Sequence, residues 1–122
     1  MHFALVLCTN LCRRAEWRRA CMGVEKRAVP YGLAPMRGRC RTDADPDLDP
    51  EAKPGQSGAR SKCVTPEGVF DLVGNVAEWV AEGTAVGGTF SAASPTCTTE
   101  TKPSKTAGRA DVGFRCCVDV GG

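Results

Sequence analysis

The stretch Pro66-Glu67-Gly68-Val69-Phe70-Asp71-Leu72-Val73-Gly74-Asn75-Val76-Ala77-Glu78-Trp79-Val80 decides how the rest of the chain is read. It sets two glycines, three carboxylates and a tryptophan in one short, mostly apolar segment. Asp71 and Glu78 supply hard anionic oxygens, and Gly74 lets the backbone turn so that carbonyls face inward. Carboxylates with carbonyls form a donor set that suits Ca²⁺. The plainer reading is that the two acids cap a turn and face solvent. Asn75 reads as a turn residue and Trp79 as a core anchor.

Around this segment the composition bounds the fold. A chain of 122 residues is one domain, large enough to bury about two-thirds of its unfolded surface. Aromatics are scarce, so Val, Leu and Ala carry the core. Sixteen basic against fourteen acidic residues leave a formal charge of +2, which gives no general pull toward nucleic acid, anionic membranes or acidic substrates. No run approaches the ~18 apolar residues of a membrane span. Eight cysteines, an even number well above ordinary usage, point to a disulfide framework in an oxidising, extracytoplasmic compartment. With one histidine, His2, and no paired Cys-x-x-Cys, zinc is a poor alternative. Met1 to Cys8 lacks the basic region and the apolar length of a signal peptide.

In chain order, residues 3–8 are an apolar run, either a buried strand or a leader remnant. Cys12 to Met22 has helical spacing, with Trp17, Ala20 and Cys21 on one face, Asn10 or Thr9 as cap and Gly23 as stop. Arg13, Arg14, Arg18 and Arg19 read as its solvated face. Pro30-Tyr31-Gly32 is a turn. Leu33 to Cys63 is rich in Pro, Gly, Asp and Arg without periodicity, a surface excursion that Cys40 and Cys63 are placed to staple. Asp43, Asp45, Asp47 and Asp49 alternate within it, but an EF-hand starting at Asp43 would need Gly where Leu48 stands and Glu where Pro54 stands. A flexible acidic loop fits better. Gly87-Gly88-Thr89-Phe90 reads as a turn into a strand, and residues 91–109 are polar. Val112 to Val120 alternates as a final strand. One helix, short strands and much irregular chain make an α+β fold.

Four segments, in order, resemble the formylglycine-generating enzyme (sulfatase-modifying factor) family. Ala15-Glu16-Trp17-Arg18-Arg19-Ala20-Cys21 is similar to the family's "EAEWEYAC" helix, and Pro30-Tyr31-Gly32 to its "PYG" turn. The Pro66–Val80 stretch is similar to its Val-Gly-Asn-Val-x-Glu-Trp signature. Gly87-Gly88-Thr89-Phe90 with Gly113-Phe114-Arg115-Cys116 looks like its "GGSY" and "GFRC" ending. The resemblance spans residues 11–117 and about the C-terminal half of a family domain. It implies a partial domain over residues 11–120 after a divergent or truncated N-terminus at 1–10. The implied fold is irregular, related to C-type lectins, poor in regular elements and disulfide-tied. Other domains of a longer parent protein would be its neighbours, and the counterpart surface they supply would leave this chain with marginal stability and an exposed apolar patch.

The resemblance also implies site residues. It pairs Cys21 with Cys97, and Cys116 with a cysteine upstream of the helix, for which Cys8 is the nearby candidate. Cys12–Cys117 and Cys40–Cys63 are the pairs that remain. Calcium would be held by the side chains of Asp71 and Glu78 and the carbonyls of Gly74 and Val76. Active members of the family oxidise a protein cysteine to formylglycine with copper(I) held by two thiolates, soft ligands for a soft ion. The first thiolate position falls here on Ala92, and Ser91 to Thr96 contains no cysteine. Copper is therefore not expected, and no catalytic residue is assigned. The expectation is a non-catalytic binding or structural module with a protein or other ligand as partner. The alternative is a component of a copper-dependent oxidase in sulfatase maturation, with Cys97 as one thiolate and Cys21 unpaired.

Overall fold

A computed structural model describes residues 10–45, 47–103 and 111–117. The apolar run at 3–8, with Cys8, and the end of the final strand at 118–120 lie outside the described residues, as does the expected Cys8–Cys116 pair. Among the described residues the fold is mixed α+β, with one helix, a small sheet and three disulfides.

The helix α1 spans Arg14–Met22. Its N-cap is Arg13, not Asn10, which lies three residues upstream of it. Asn10 is too far from the first helical amides. Instead Glu16 reaches back to accept the Arg13 N–H at 2.8 Å, and Glu82 accepts the Arg14 N–H at 2.9 Å, so two free amides of the first turn find carboxylates. Gly23 ends the helix at φ 66°. The Arg27 guanidinium then packs under that end, donating to the carbonyls of Cys21 and Ala20 and pairing with Glu25 and Glu67. A cation beneath the last carbonyls opposes the negative end of the helix. A nine-residue helix is below the ~12–15 residues that stand alone in water. It is therefore held by its inner face, where Trp17 and Cys21 are fully buried. An indole of roughly 150–250 Å² contributes about 4–6 kcal/mol on burial before entropy is counted.

The sheet runs β3-β2-β1-β4. Its strands are β1 (Ala77–Trp79), β2 (Ala85–Val86), β3 (Glu100–Thr101) and β4 (Val112–Phe114). The pairings β1–β2 and β2–β3 are antiparallel and β1–β4 is parallel, so Glu78 lies opposite Val86 on one side and Gly113 on the other. The decisive stretch thus supplies the turn and the central strand together. Strand β2 precedes Gly87-Gly88, so the glycines leave a strand instead of leading into one. Both have positive φ (88° and 75°), which ends extended pairing. Gly87 is also where three parts of the chain meet: its carbonyl accepts the Gly74 N–H at 2.8 Å, and a Cβ there would strike the Leu72 carbonyl and come within 3.0 Å of the Trp17 ring.

The core gathers Trp17, Leu72, Val73, Val80 and Val86 with the sulfurs of Cys12, Cys21, Cys40, Cys63 and Cys97. Cysteines do much of what larger apolar residues do elsewhere. Trp79 is only half-buried; on β1 it alternates with Glu78, and Trp17 is the buried tryptophan. Arg14 and Arg18 are not simply a solvated face either, because both grip Glu100 on β3 at 2.8 and 3.0 Å.

The excursion from Leu33 to Cys63 contains neither helix nor strand among its described residues. Cys40–Cys63 staples it, and Arg41 donates to the carbonyls of Glu51 and Lys53. Within it Asp45 and Asp49 accept the N–H groups of Asp47 and Glu51, so these aspartates shape local turns.

Candidate functional site

The signature segment and β4 enclose one open hollow of about 360 Å³, lined by Phe70, Asp71, Val76, Glu78, Phe114 and Arg115 among others. Backbone geometry places each group. Asp71 and Asn75 both take positive φ, 59° and 63°, a conformation that short polar side chains tolerate better than most. Asn75 locks the turn with its amide, accepting the Gly55 N–H at 2.7 Å and donating to the Gly55 carbonyl at 3.2 Å. It is the turn residue expected. Asp71 accepts the Gly58 N–H at 2.6 Å. Both residues thereby tie the excursion to the signature.

Glu78 points inward from the centre of the sheet and is only 5% exposed. A carboxylate in that position needs partners. It accepts the Trp17 indole N–H at 3.0 Å. Arg115 Nε donates to both of its oxygens, at 2.9 and 3.2 Å. The same guanidinium donates to the Phe70 carbonyl at 2.7 Å, which fixes its second end. The helix, the signature and the residue that follows β4 therefore converge on one ion pair. Phe70 and Phe114, 39% and 62% exposed, stand at its open side.

Of the four expected calcium ligands, Asp71, Val76 and Glu78 line this hollow. Gly74 is packed against the Arg41 backbone, where a Cβ would lie 2.5 Å from the carbonyl oxygen. The Glu78 carboxylate is already neutralised by Arg115, so a calcium ion drawing on Glu78 would compete with the guanidinium for the same oxygens. Sequence reasoning does not single out Arg115 for this part. The signal available is a cation directly after the apolar Val112-Gly113-Phe114 run, since such a residue calls for a carboxylate nearby.

Copper fares worse. Cys97 is bonded to Cys21, with Cα atoms 5.7 Å apart, and Cys12 is bonded to Cys117 and Cys40 to Cys63. Among the described residues no cysteine is free, so the described part offers no thiolate pair to hold a soft ion.

Comparison with known proteins leaves the family open. No protein-family model, curated protein or solved structure matches this chain.

Proposed function

We propose that this chain is a non-catalytic binding or structural module of the formylglycine-generating-enzyme type, built on the irregular lectin-related scaffold that the sequence resemblance implies. The observation that carries this reading is the Cys21–Cys97 disulfide. An oxidase reading needs Cys97 as a thiolate ligand and leaves Cys21 alone; joined to each other, neither sulfur binds a soft metal ion. The three disulfides among the described residues are consistent with an oxidising, extracytoplasmic location, and no helix among the described residues is long and apolar enough to cross a membrane. In this module the Glu78–Arg115 pair stands at the signature turn, where the resemblance puts calcium.

The test is peptide mapping of the non-reduced chain followed by Cu(I) titration of the native protein. The Cys21–Cys97 cross-link and no tight copper binding are expected. Tight Cu(I) binding by the native chain, with Cys97 recovered as a free thiol, would overturn the module reading in favour of the oxidase.

A further inference from the structure

Two stretches distant in sequence, Arg37-Gly38-Arg39-Cys40 and Arg60-Ser61-Lys62-Cys63, carry the same pattern: a cation one residue and three residues before the cysteine. The Cys40–Cys63 disulfide sets their backbones side by side, Cα atoms 4.8 Å apart. Arg39 and Lys62 then line one open hollow of about 350 Å³ together with Tyr31 and Ser61. The Arg39 guanidinium lies over the Tyr31 ring, 5.3 Å from its centroid, an arrangement that holds it in place. Arg37, Arg60 and Lys62 are exposed.

Elsewhere on the described chain most arginines are matched: Arg13, Arg14, Arg18, Arg27 and Arg115 each meet a glutamate. Among the described residues the four cations around Cys40–Cys63 meet none. Of these, Arg39 and Lys62 share one hollow, so two unmatched cations face a single open surface of a nearly neutral protein. Arg41, next to Cys40, does not belong to this set, because its guanidinium is committed to backbone carbonyls.

We infer that this face binds an acidic polysaccharide, a chain of sulfated or carboxylated sugars, laid across Arg39 and Lys62. The charges are spread over an open, shallow surface and do not converge on one point, which suits anions repeated along a chain. Guanidinium forks match sulfate and carboxylate oxygens in pairs, and the Ser61 hydroxyl suits sugar hydroxyls. The disulfides are consistent with an oxidising compartment, where polysaccharide is the more accessible polyanion, and this favours it over nucleic acid. This face stands apart from the signature turn and binds whether or not the chain is the module proposed above.

The experiment uses the oxidised full chain in low salt, titrated calorimetrically with heparin (sulfated), polygalacturonate (carboxylated) and a single-stranded oligodeoxynucleotide. At least one polysaccharide binds, and which one names the anion. Arg39→Gln with Lys62→Gln weakens that binding about tenfold or more and lowers the slope of log K against log salt by roughly two, as expected for two lost contacts. Arg19→Gln with Lys26→Gln removes equal charge from the helix and the turn after it and leaves affinity near wild type. Should the first pair disturb the near-UV circular dichroism, Arg60→Gln with Lys62→Gln replaces it. Equal losses in target and control pairs, binding of neither polysaccharide, or tighter binding of the oligonucleotide would each overturn the inference.

Discussion

Replacing Arg115 by methionine isolates what the ion pair at the signature turn contributes. Glu78 is 5% exposed and sits between Trp17 and Arg115, so removing the guanidinium leaves a buried carboxylate with one neutral donor. Stripping one partner from a fully buried pair costs about 3–5 kcal/mol. The Arg115 side chain keeps 29% of its surface in water, and solvent reaches the hollow, so about 2–4 kcal/mol is the expected loss. Set against a total stability of about 5–15 kcal/mol, that is a lowering of the melting temperature by about 10 °C. The informative comparison is the double variant Glu78→Gln with Arg115→Met. A glutamine still accepts the Trp17 N–H but carries no charge, so the double variant recovers at least half of the single variant's loss. Thermal unfolding of the oxidised proteins, followed in the near-UV where Trp17 reports, measures all four corners of the cycle. A double variant no more stable than Arg115→Met, or an Arg115→Met protein as stable as wild type, would refute the view that Arg115 holds Glu78.

Three further outcomes follow from other contacts. Asn75→Ala loses both amide bonds to Gly55 and places alanine at φ 63°; destabilisation of about 2–3 kcal/mol is expected, with limited proteolysis cutting faster between residues 41 and 60. The Arg14 guanidinium, hydrogen-bonded to Glu100, holds that carboxyl below the usual carboxylate range. A depressed carboxylate stabilises the fold fully above the unfolded glutamate value of about 4.3 and loses that contribution as pH falls through its folded value. The melting temperature of Glu100→Gln should accordingly differ from wild type at pH 7 and converge on it in the acid range; a constant difference down to pH 2 would contradict the pairing. Finally, millimolar CaCl₂ should leave the wild-type melting temperature unchanged, because Arg115 holds Glu78, while a rise that vanishes in Asp71→Asn would restore calcium to the site.

How much of the molecule is legible in its sequence depends on the range of the interaction. Helix α1 is, since Trp17 and Cys21 fall four residues apart on one face and Gly23 stops it. The Asn75 turn is too, because few residues other than glycine accept its backbone. The sheet is not. Strands such as Ala85–Val86 and Glu100–Thr101 are too short to show a period of two, and only pairing with distant partners makes them strands. The glycines at 87 and 88 read as leading into a strand when they leave one, because a turn residue does not say which neighbour it serves. At the site, Asp71 and Glu78 stand out as acids in an apolar run. The partner of Glu78 depends on a parallel register linking residues 37 apart, which no local pattern encodes. The same holds for the cations around Cys40 and Cys63, ordinary loop residues until a disulfide makes them neighbours.

The parallel pairing of β1 with β4 has a consequence for the order of events when the chain is made. The central strand acquires its second neighbour only when residues 112–114 exist, and Cys12 must wait for Cys117, 105 residues later. A protein synthesised from its N-terminus therefore holds Cys12 and one edge of β1 without their partners until residues 112–117 are made. During that interval Cys12 has Cys8 and Cys21 as its nearest thiols along the chain, so an early, incorrect local bond is the expectation. High contact order of this kind makes folding slow, and reaching the final connectivity then requires thiol exchange after synthesis. Refolding yield should rise with a glutathione shuffle or a disulfide isomerase and fall under rapid air oxidation, which traps the local pair before the far end of the chain arrives.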